Sequence, residues 1–89
     1  MNSLIHVYGR VQGVFFRATV QKKAKSLGLT GSVQNCSNGS VEIIASGGKK
    51  QLETFVGWIL SSPGASKVQL VENKILVHCR RFDSFEVIH

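Results

Sequence analysis

The sequence predicts an α+β (α/β) fold in which two helices cover one face of a mainly antiparallel sheet of four to five strands. Two observations support this prediction. Extended and helical patterns follow one another in the order strand, helix, strand, strand, helix, strand, which is the split βαβ order of a ferredoxin-like sandwich. Hydrophobic residues make up 43% of the 89-residue chain and charged residues 18%, so there is enough apolar surface for a core. A chain of this length has room for one core, and we expect a single domain over residues 1–89.

The beginning of the chain is predicted to contain a strand, a loop bounded by glycine, and a helix. Leu4–Tyr8 alternates and is rich in β-forming residues, which predicts a strand that leads into Gly9. Apolar residues then follow at helical spacing, namely Phe16, Val20, Ala24 and Leu27. Gly28 is a suitable end for this first helix, because glycine tolerates the left-handed conformation found there.

A hairpin and a second helix are predicted next. Thr30–Asn35 and Ser40–Ala45 are short extended segments, and the Asn-Gly pair between them favours a tight turn. Apolar residues then recur at the spacing i, i+3, i+4, i+7 and i+8, namely Leu52, Phe55, Val56, Ile59 and Leu60. Pro63 is expected to end this helix, since proline cannot continue the hydrogen-bond pattern.

The last third of the chain is predicted to be extended but interrupted. We expect strands at Lys67–Val71 and Ile75–His78, with a turn at Glu72–Lys74, and a final strand at Phe85–Ile88. The pattern between Glu72 and Asp83 leaves the strand layout open, which is why the predicted number of strands is four to five.

The segment from Gly9 to Arg17 is a candidate anion-binding loop. It leaves a strand and enters a helix, so its backbone N–H groups can converge beside a helix N-terminus, where anions bind. Gly9 and Gly13 permit close approach, and Arg17 offers a permanently charged fork for two oxygens. Spacing alone is equally consistent with a tight connection whose arginine forms a surface ion pair. The Gly-Lys-Ser/Thr of nucleotide phosphate loops is missing, so no nucleotide is implied.

Taken as a whole, the string Gly9–Arg17 resembles the signature of the acylphosphatase family. A second stretch is similar to that family as well, Gly31–Asn35 followed by Asn38–Glu42. Further similarity lies in the spacing from Gly48 to Phe55, in Ser62–Ala65 and in Phe85–Val87. The resemblance therefore spans nearly the whole chain and implies the same ferredoxin-like fold that the pattern of elements predicts.

The resemblance also implies an activity and its residues. In that family the arginine that closes the first motif binds phosphate, and the asparagine of the second positions the attacking water; by motif match these are Arg17 and Asn35. Without the resemblance, Asn35 would be interpreted as an ordinary turn residue. The implied reaction is hydrolysis of acyl phosphates to a carboxylate and inorganic phosphate by direct attack of water, with no cofactor. We expect the phosphate to be bound by Gln12, Gly13, Val14, Phe15, Phe16 and Arg17.

Cysteines and histidines show no pattern that indicates a metal or a nucleophile. His6, His78 and His89 lack ligand spacing relative to the cysteines or acids, so we expect no metal. Two cysteines cannot form a dense disulfide framework, and we expect free thiols, although one bridge stays geometrically possible. Cys36 lacks a recognisable histidine partner and is interpreted as a small, partly buried side chain.

The net charge of +6 predicts attraction to anions without selecting among them. We expect small acyl phosphates as substrates, inorganic phosphate or other anions in the loop, no specific nucleic acid, and a monomer. The main alternative is a nucleic-acid-binding module, but Val41–Ala45 lacks the clustered aromatic residues that RNA-binding sheets carry. The second alternative is a non-catalytic anion-binding domain. The physiological acyl phosphate is not identified by the sequence.

Hydropathy gives an expectation for the compartment. No apolar run approaches the roughly 20 residues that span a bilayer. The first residues lack the basic segment and apolar stretch of a signal peptide. We therefore expect a cytoplasmic protein with no membrane contact.

Overall fold

A computed structural model describes residues 1–89 as one five-stranded sheet with two helices. The elements in chain order are β1 (Asn2–Arg10), α1 (Phe16–Ser26), β2 (Thr30–Asn35), β3 (Val41–Ser46), α2 (Lys49–Leu60), β4 (Lys67–Leu76) and β5 (Phe85–Ile88). The strand order is β4-β1-β3-β2-β5. Every neighbouring pair is antiparallel except β2 and β5, which are parallel. The predicted mainly antiparallel, ferredoxin-like α+β architecture is confirmed, with five strands.

The core lies between the two helices and one face of the sheet. Side chains on β1 and β3 alternate between buried and half-buried positions over most of each strand, as expected when one face is covered. The helices contribute six buried residues, Phe16, Val20, Ala24, Leu52, Phe55 and Ile59. The Phe55 ring meets the Phe85 ring edge-on, with centroids 6.2 Å apart, which ties α2 to β5. Neither helix has the length and apolar character needed to cross a membrane.

The predicted turn at Glu72–Lys74 is wrong. These residues pair antiparallel with Leu4–His6, inside one continuous strand that runs from Lys67 to Leu76. β4 lies at the edge of the sheet, and most of its side chains are exposed. An edge strand accommodates charged residues, so its polar stretch looks like a turn in the sequence. His78 consequently follows the strand and does not belong to it.

The other element boundaries differ from the predictions by a few residues. β1 is longer than predicted at both ends, β3 begins one residue later than Ser40, and α2 begins at Lys49. Differences of this size are usual at the ends of helices and strands. They leave the loop before α1 and the turn after β2 where the sequence predicts them.

Candidate active site

The loop between β1 and α1 leads directly into the N-terminus of α1. Gly13 and Phe15 both have left-handed backbone conformations, with φ of 73° and 58°. Phe15 is the N-cap residue, and its side chain makes no capping hydrogen bond. The first N–H groups of a helix have no intrahelical acceptor, and the helix dipole adds partial positive charge there. Because the first turn of α1 carries no acidic side chain, these donors are suited to an external anion.

Apolar side chains hold this loop in place. Val11 and Phe16 are buried, at 1% and 2% exposure, and Val14 packs partly buried against the core. Phe15 points outward with 87% exposure. The loop is therefore pinned at both ends, while its middle stays open to solvent.

Gln12 connects the loop to the turn between β2 and β3. Its Nε2 donates hydrogen bonds to the carbonyl oxygens of Cys36 at 2.9 Å and Ser40 at 2.8 Å. The turn is itself held by Asn38, whose Oδ1 accepts hydrogen bonds from the backbone N–H of Ser40 at 3.0 Å and from its hydroxyl at 2.6 Å. The loop before α1 and the turn that follows Asn35 thus form one hydrogen-bonded unit.

Arg17 lies in the first turn of α1 and reaches across to β5. Its Nη1 donates to the carbonyl oxygen of Ile88 at 2.9 Å, and Ile88 pairs in register with Gln34 on β2. The guanidinium is therefore placed beside the end of β2, where Asn35 lies. The two ion pairs of the molecule, Lys49–Glu53 and Arg80–Glu86, do not involve Arg17. The alternative of an arginine in a surface ion pair is thus wrong.

Arg17 and Asn35 line the same open cleft of about 350 Å³, which also contacts the loop. The lining residues relevant to the predicted site are Gln12, Gly13, Phe15, Phe16, Arg17 and Asn35. A neighbouring space of about 320 Å³ is again lined by Arg17 and Asn35. Val14 is the one predicted binding residue whose side chain turns away, which leaves its backbone N–H as the group able to contact a ligand. No carboxylate side chain lines either space, so the local charge favours an anion.

His89 is a polar cleft residue that sequence reasoning missed. The sequence assigns it no site role, yet it lines both spaces beside Arg17 and Asn35. Its position follows from the parallel pairing of β5 with β2, which ends at Gln34 and Ile88. Nothing in the local spacing of the chain indicates that pairing, so this residue had no signal in the sequence.

The cysteines and histidines are distributed differently from what their spacing suggested. Cys36 and Cys79 are free thiols, and both are half-buried, which agrees with the partly buried position predicted for Cys36. His6, however, lies close to Cys36 and Glu42, with one ligand atom from each within 4.8 Å of the others. His6 is far from Cys36 and Glu42 in sequence, so the spacing gave no sign of this cluster. The absence of a metal therefore stays a prediction.

The fold and the cleft together define a small ferredoxin-like α+β protein with a candidate anion-binding loop. The family model described as acylphosphatase matches residues 4–87, so the chain belongs to the acylphosphatase family. The family resemblance that the motifs indicated is confirmed. The prediction that the chain is an acylphosphatase is confirmed by the family match and by relatives named acylphosphatase.

Two relatives match along nearly their whole length. The acylphosphatase of Lactobacillus johnsonii is 43% identical over 86 residues, covering 96% of this chain and 94% of that protein. The crystal structure of acylphosphatase from Bacillus subtilis superposes with a TM-score of 0.93 at 34% identity, covering 99% of this chain and 98% of that one. The same fold also occurs inside a longer protein: T. kodakarensis HypF matches with a TM-score of 0.86 at 27% identity, over 100% of this chain and 12% of that chain.

Proposed function

We propose that residues 1–89 act as one acylphosphatase domain that hydrolyses the carboxyl–phosphate bond of small acyl phosphates. The products are a carboxylate and inorganic phosphate. The observation that carries this proposal is the convergence of Arg17, Asn35 and the loop before α1 on one cleft that no Asp or Glu side chain lines. Membership of the acylphosphatase family supports it independently.

The phosphoryl group is bound by the loop and by Arg17. Backbone N–H groups between Gln12 and Phe16 belong to the loop that enters the N-terminus of α1, and they donate to a phosphoryl oxygen bound there. One nitrogen of the Arg17 guanidinium is held by the carbonyl of Ile88. The remaining N–H donors of its planar fork are left for two further oxygens. Holding the arginine in this way fixes its orientation before substrate binds, so the positive charge needs no reorganisation during the reaction.

Asn35 orients the nucleophile. Its carboxamide holds a water molecule in line with the bond to the leaving group, and that water attacks phosphorus while the bond to the acyl oxygen breaks. The water's proton passes to a substrate oxygen. The leaving carboxylate is a weak base and needs no proton from a general acid, so the barrier depends mainly on positioning and on charge stabilisation. These are the contributions that the loop, Arg17 and Asn35 supply.

The remaining expectations form part of the same proposal. Inorganic phosphate, as the product, occupies the loop and competes with substrate. The protein acts as a monomer in the cytoplasm and has no specific nucleic-acid partner. Weak, sequence-independent binding to nucleic acid would reflect only the net charge of +6.

The proposal is tested by phosphate release from benzoyl phosphate with a chelator present. We expect turnover by the unmodified protein and a loss of about 10²- to 10³-fold in Arg17→Ala, since one charged donor to the developing charge is removed. Asn35→Ala should lower kcat by a similar factor while inorganic phosphate still binds. Arg81→Ala, which removes an exposed arginine elsewhere, is the matched control and should keep normal turnover.

Two results would contradict this assignment. Near-normal turnover in Arg17→Ala would remove that residue from the reaction. A folded protein that binds phosphate but releases none from benzoyl phosphate would instead support a non-catalytic anion-binding domain.

A further inference from the structure

Three metal-ligating side chains meet on the sheet face that the helices leave uncovered. One ligand atom each from His6, Cys36 and Glu42 lies within 4.8 Å of the other two, and all three residues are half-buried. We infer that this cluster is a binding site for a divalent cation of the zinc type. The cluster is separate from the cleft that Arg17 and Asn35 line. This inference disagrees with the absence of a metal that we predicted from sequence spacing.

Strand register explains why three residues so far apart in sequence come together. His6 on β1 lies directly opposite Glu42 on β3, and side chains directly opposite each other in an antiparallel pair are neighbours. Cys36 follows the last residue of β2, and its backbone N–H donates to Ser40 at 2.8 Å, which fixes the turn beside them. Successive side chains of an extended strand point to opposite faces. Cys36 therefore faces away from the cleft that Asn35 lines.

The ligand types match one class of metal. A thiolate, an imidazole and a carboxylate are the side chains that bind Zn²⁺, whereas Mg²⁺ and Ca²⁺ prefer oxygen alone. With bonds of about 2.0–2.3 Å, tetrahedral ligand atoms lie about 3.5 Å apart. Side-chain rotations that move the ligand atoms by roughly 1 Å would bring the three atoms to that separation, and a water molecule completes the fourth position.

The surroundings of the cluster favour a cation. Gln34 Nε2 donates to Glu42 Oε2 at 3.2 Å, an orienting contact of the kind that supports metal ligands. Glu72 lies opposite His6 on its other side, in β4. Neither glutamate takes part in the two ion pairs of the molecule. Two carboxylates without a paired lysine or arginine therefore flank the histidine, on a protein whose net charge is +6.

Titration with Co²⁺ tests this inference, because a cobalt–thiolate bond gives a charge-transfer absorbance band. The protein is kept reduced, and Zn²⁺ is then added to displace the cobalt. We expect one bound metal per chain and loss of the band in Cys36→Ser. Cys79→Ser, which removes the other half-buried thiol, should keep the band. His6→Gln and Glu42→Gln should each weaken binding at least tenfold, and His78→Gln and Glu53→Gln should leave it unchanged.

The same titration can overturn the inference in three ways. The wild-type protein could give no absorbance band at micromolar cobalt, or Cys36→Ser could keep the band. Alternatively, His6→Gln and Glu42→Gln could both bind cobalt as tightly as wild type, which would show that the thiol of Cys36 binds the metal without them. Circular dichroism confirms that each variant is folded. The readout is metal absorbance, so the result is independent of whether the cleft hydrolyses acyl phosphates.

Discussion

The side-chain amide of Gln12 lies 2.8 Å from the carbonyl oxygen of Ser40 and donates a hydrogen bond to it. The same nitrogen donates to Cys36 at 2.9 Å. One side chain therefore links the loop that precedes α1 to the turn that follows Asn35. In the proposed reaction the loop holds the phosphoryl group and Asn35 holds water, so this link sets the distance between the two reactants.

Replacing Gln12 with alanine should impair both turnover and stability. We expect kcat to fall by about 10- to 100-fold, because a shift of about 1 Å between reacting groups is costly. The free energy of unfolding should drop by about 1–3 kcal/mol through the lost hydrogen bonds. Phosphate-release kinetics and urea unfolding measure the two effects.

Gln21→Ala is the matched control for that experiment. Gln21 donates through Nε2 to the carbonyl oxygen of Phe85 at 2.9 Å, which is the same kind of contact away from the loop. Its loss should lower stability by about 1 kcal/mol and leave kcat unchanged. Equal effects of the two substitutions on kcat would show that Gln12 has no special positioning role.

Gly13 and Gly39 allow backbone strain to be separated from phosphate binding. Both have positive φ, 73° and 88°, and a Cβ on either would meet no atom within 4 Å. Alanine at either position should therefore cost about 1–2 kcal/mol of stability through conformation alone. Only Gly13→Ala should also weaken inorganic phosphate binding, by several-fold in calorimetry, because Gly13 lies in the loop. Equal phosphate affinity in the two variants would show that the backbone conformation of Gly13 does not contribute to phosphate binding.

Gly31→Ala should be among the most destabilising single substitutions in the sheet. Its φ is 146°, and an added Cβ would come within 1.8 Å of the carbonyl oxygen of Ile44 on the neighbouring strand. We expect a loss of more than about 4 kcal/mol, the range reserved for severe steric and backbone effects. Denaturant unfolding or expression in the folded fraction measures it.

Gly57→Ala provides the opposite expectation. Gly57 lies inside α2, and a Cβ there would meet nothing within 4 Å. Alanine should raise stability by about 0.5–1 kcal/mol, since glycine is a poor helix former. A destabilised Gly57→Ala protein would contradict the structure of α2 at this point.

Tyr8 should titrate above its ordinary pKa of 10.0. The main cause is the hydrogen bond that its hydroxyl donates to Glu72 at 2.8 Å, with desolvation and the negative charge of Glu72 adding to it. Because the folded-state pKa is raised, this contribution to stability is complete below pH 10 and is lost as the pH rises through the folded-state pKa. The chain contains one tyrosine, so phenolate absorbance follows this group alone.

Glu72→Gln should move the Tyr8 titration back toward its ordinary pKa. The substitution removes the negative charge that disfavours the phenolate. Glu53→Gln, on the exposed face of α2, should leave the curve unchanged. An identical curve for wild type and Glu72→Gln would show that the two side chains do not interact in solution.

The sequence was informative wherever structure is local. Helical spacing located both helices, the Asn-Gly pair located the hairpin turn, and the loop pattern located Arg17. These features depend on residues a few positions apart, and the physical rules for them act over the same range. The family resemblance added Asn35, which local rules would have left as a turn residue.

Contacts between distant strands were not predictable in the same way. The edge position of β4 removed the alternation that would have identified Glu72–Lys74 as a strand. The carbonyl of Ile88 and the side chain of His89 reach the cleft through a parallel pairing with β2 that no local pattern indicates. The cluster of His6, Cys36 and Glu42 likewise depends on register between strands.

The parallel pairing of β5 with β2 also determines when the cleft can form during synthesis. Chains emerge from the ribosome N-terminus first, so Arg17 and Asn35 leave it long before Ile88, whose carbonyl holds the guanidinium. The hairpin of β2 and β3 and both helices can begin to associate earlier. The nascent chain therefore exposes an unpaired edge at β2 until its final strand arrives, and anion binding should appear only after residue 88 has cleared the exit tunnel.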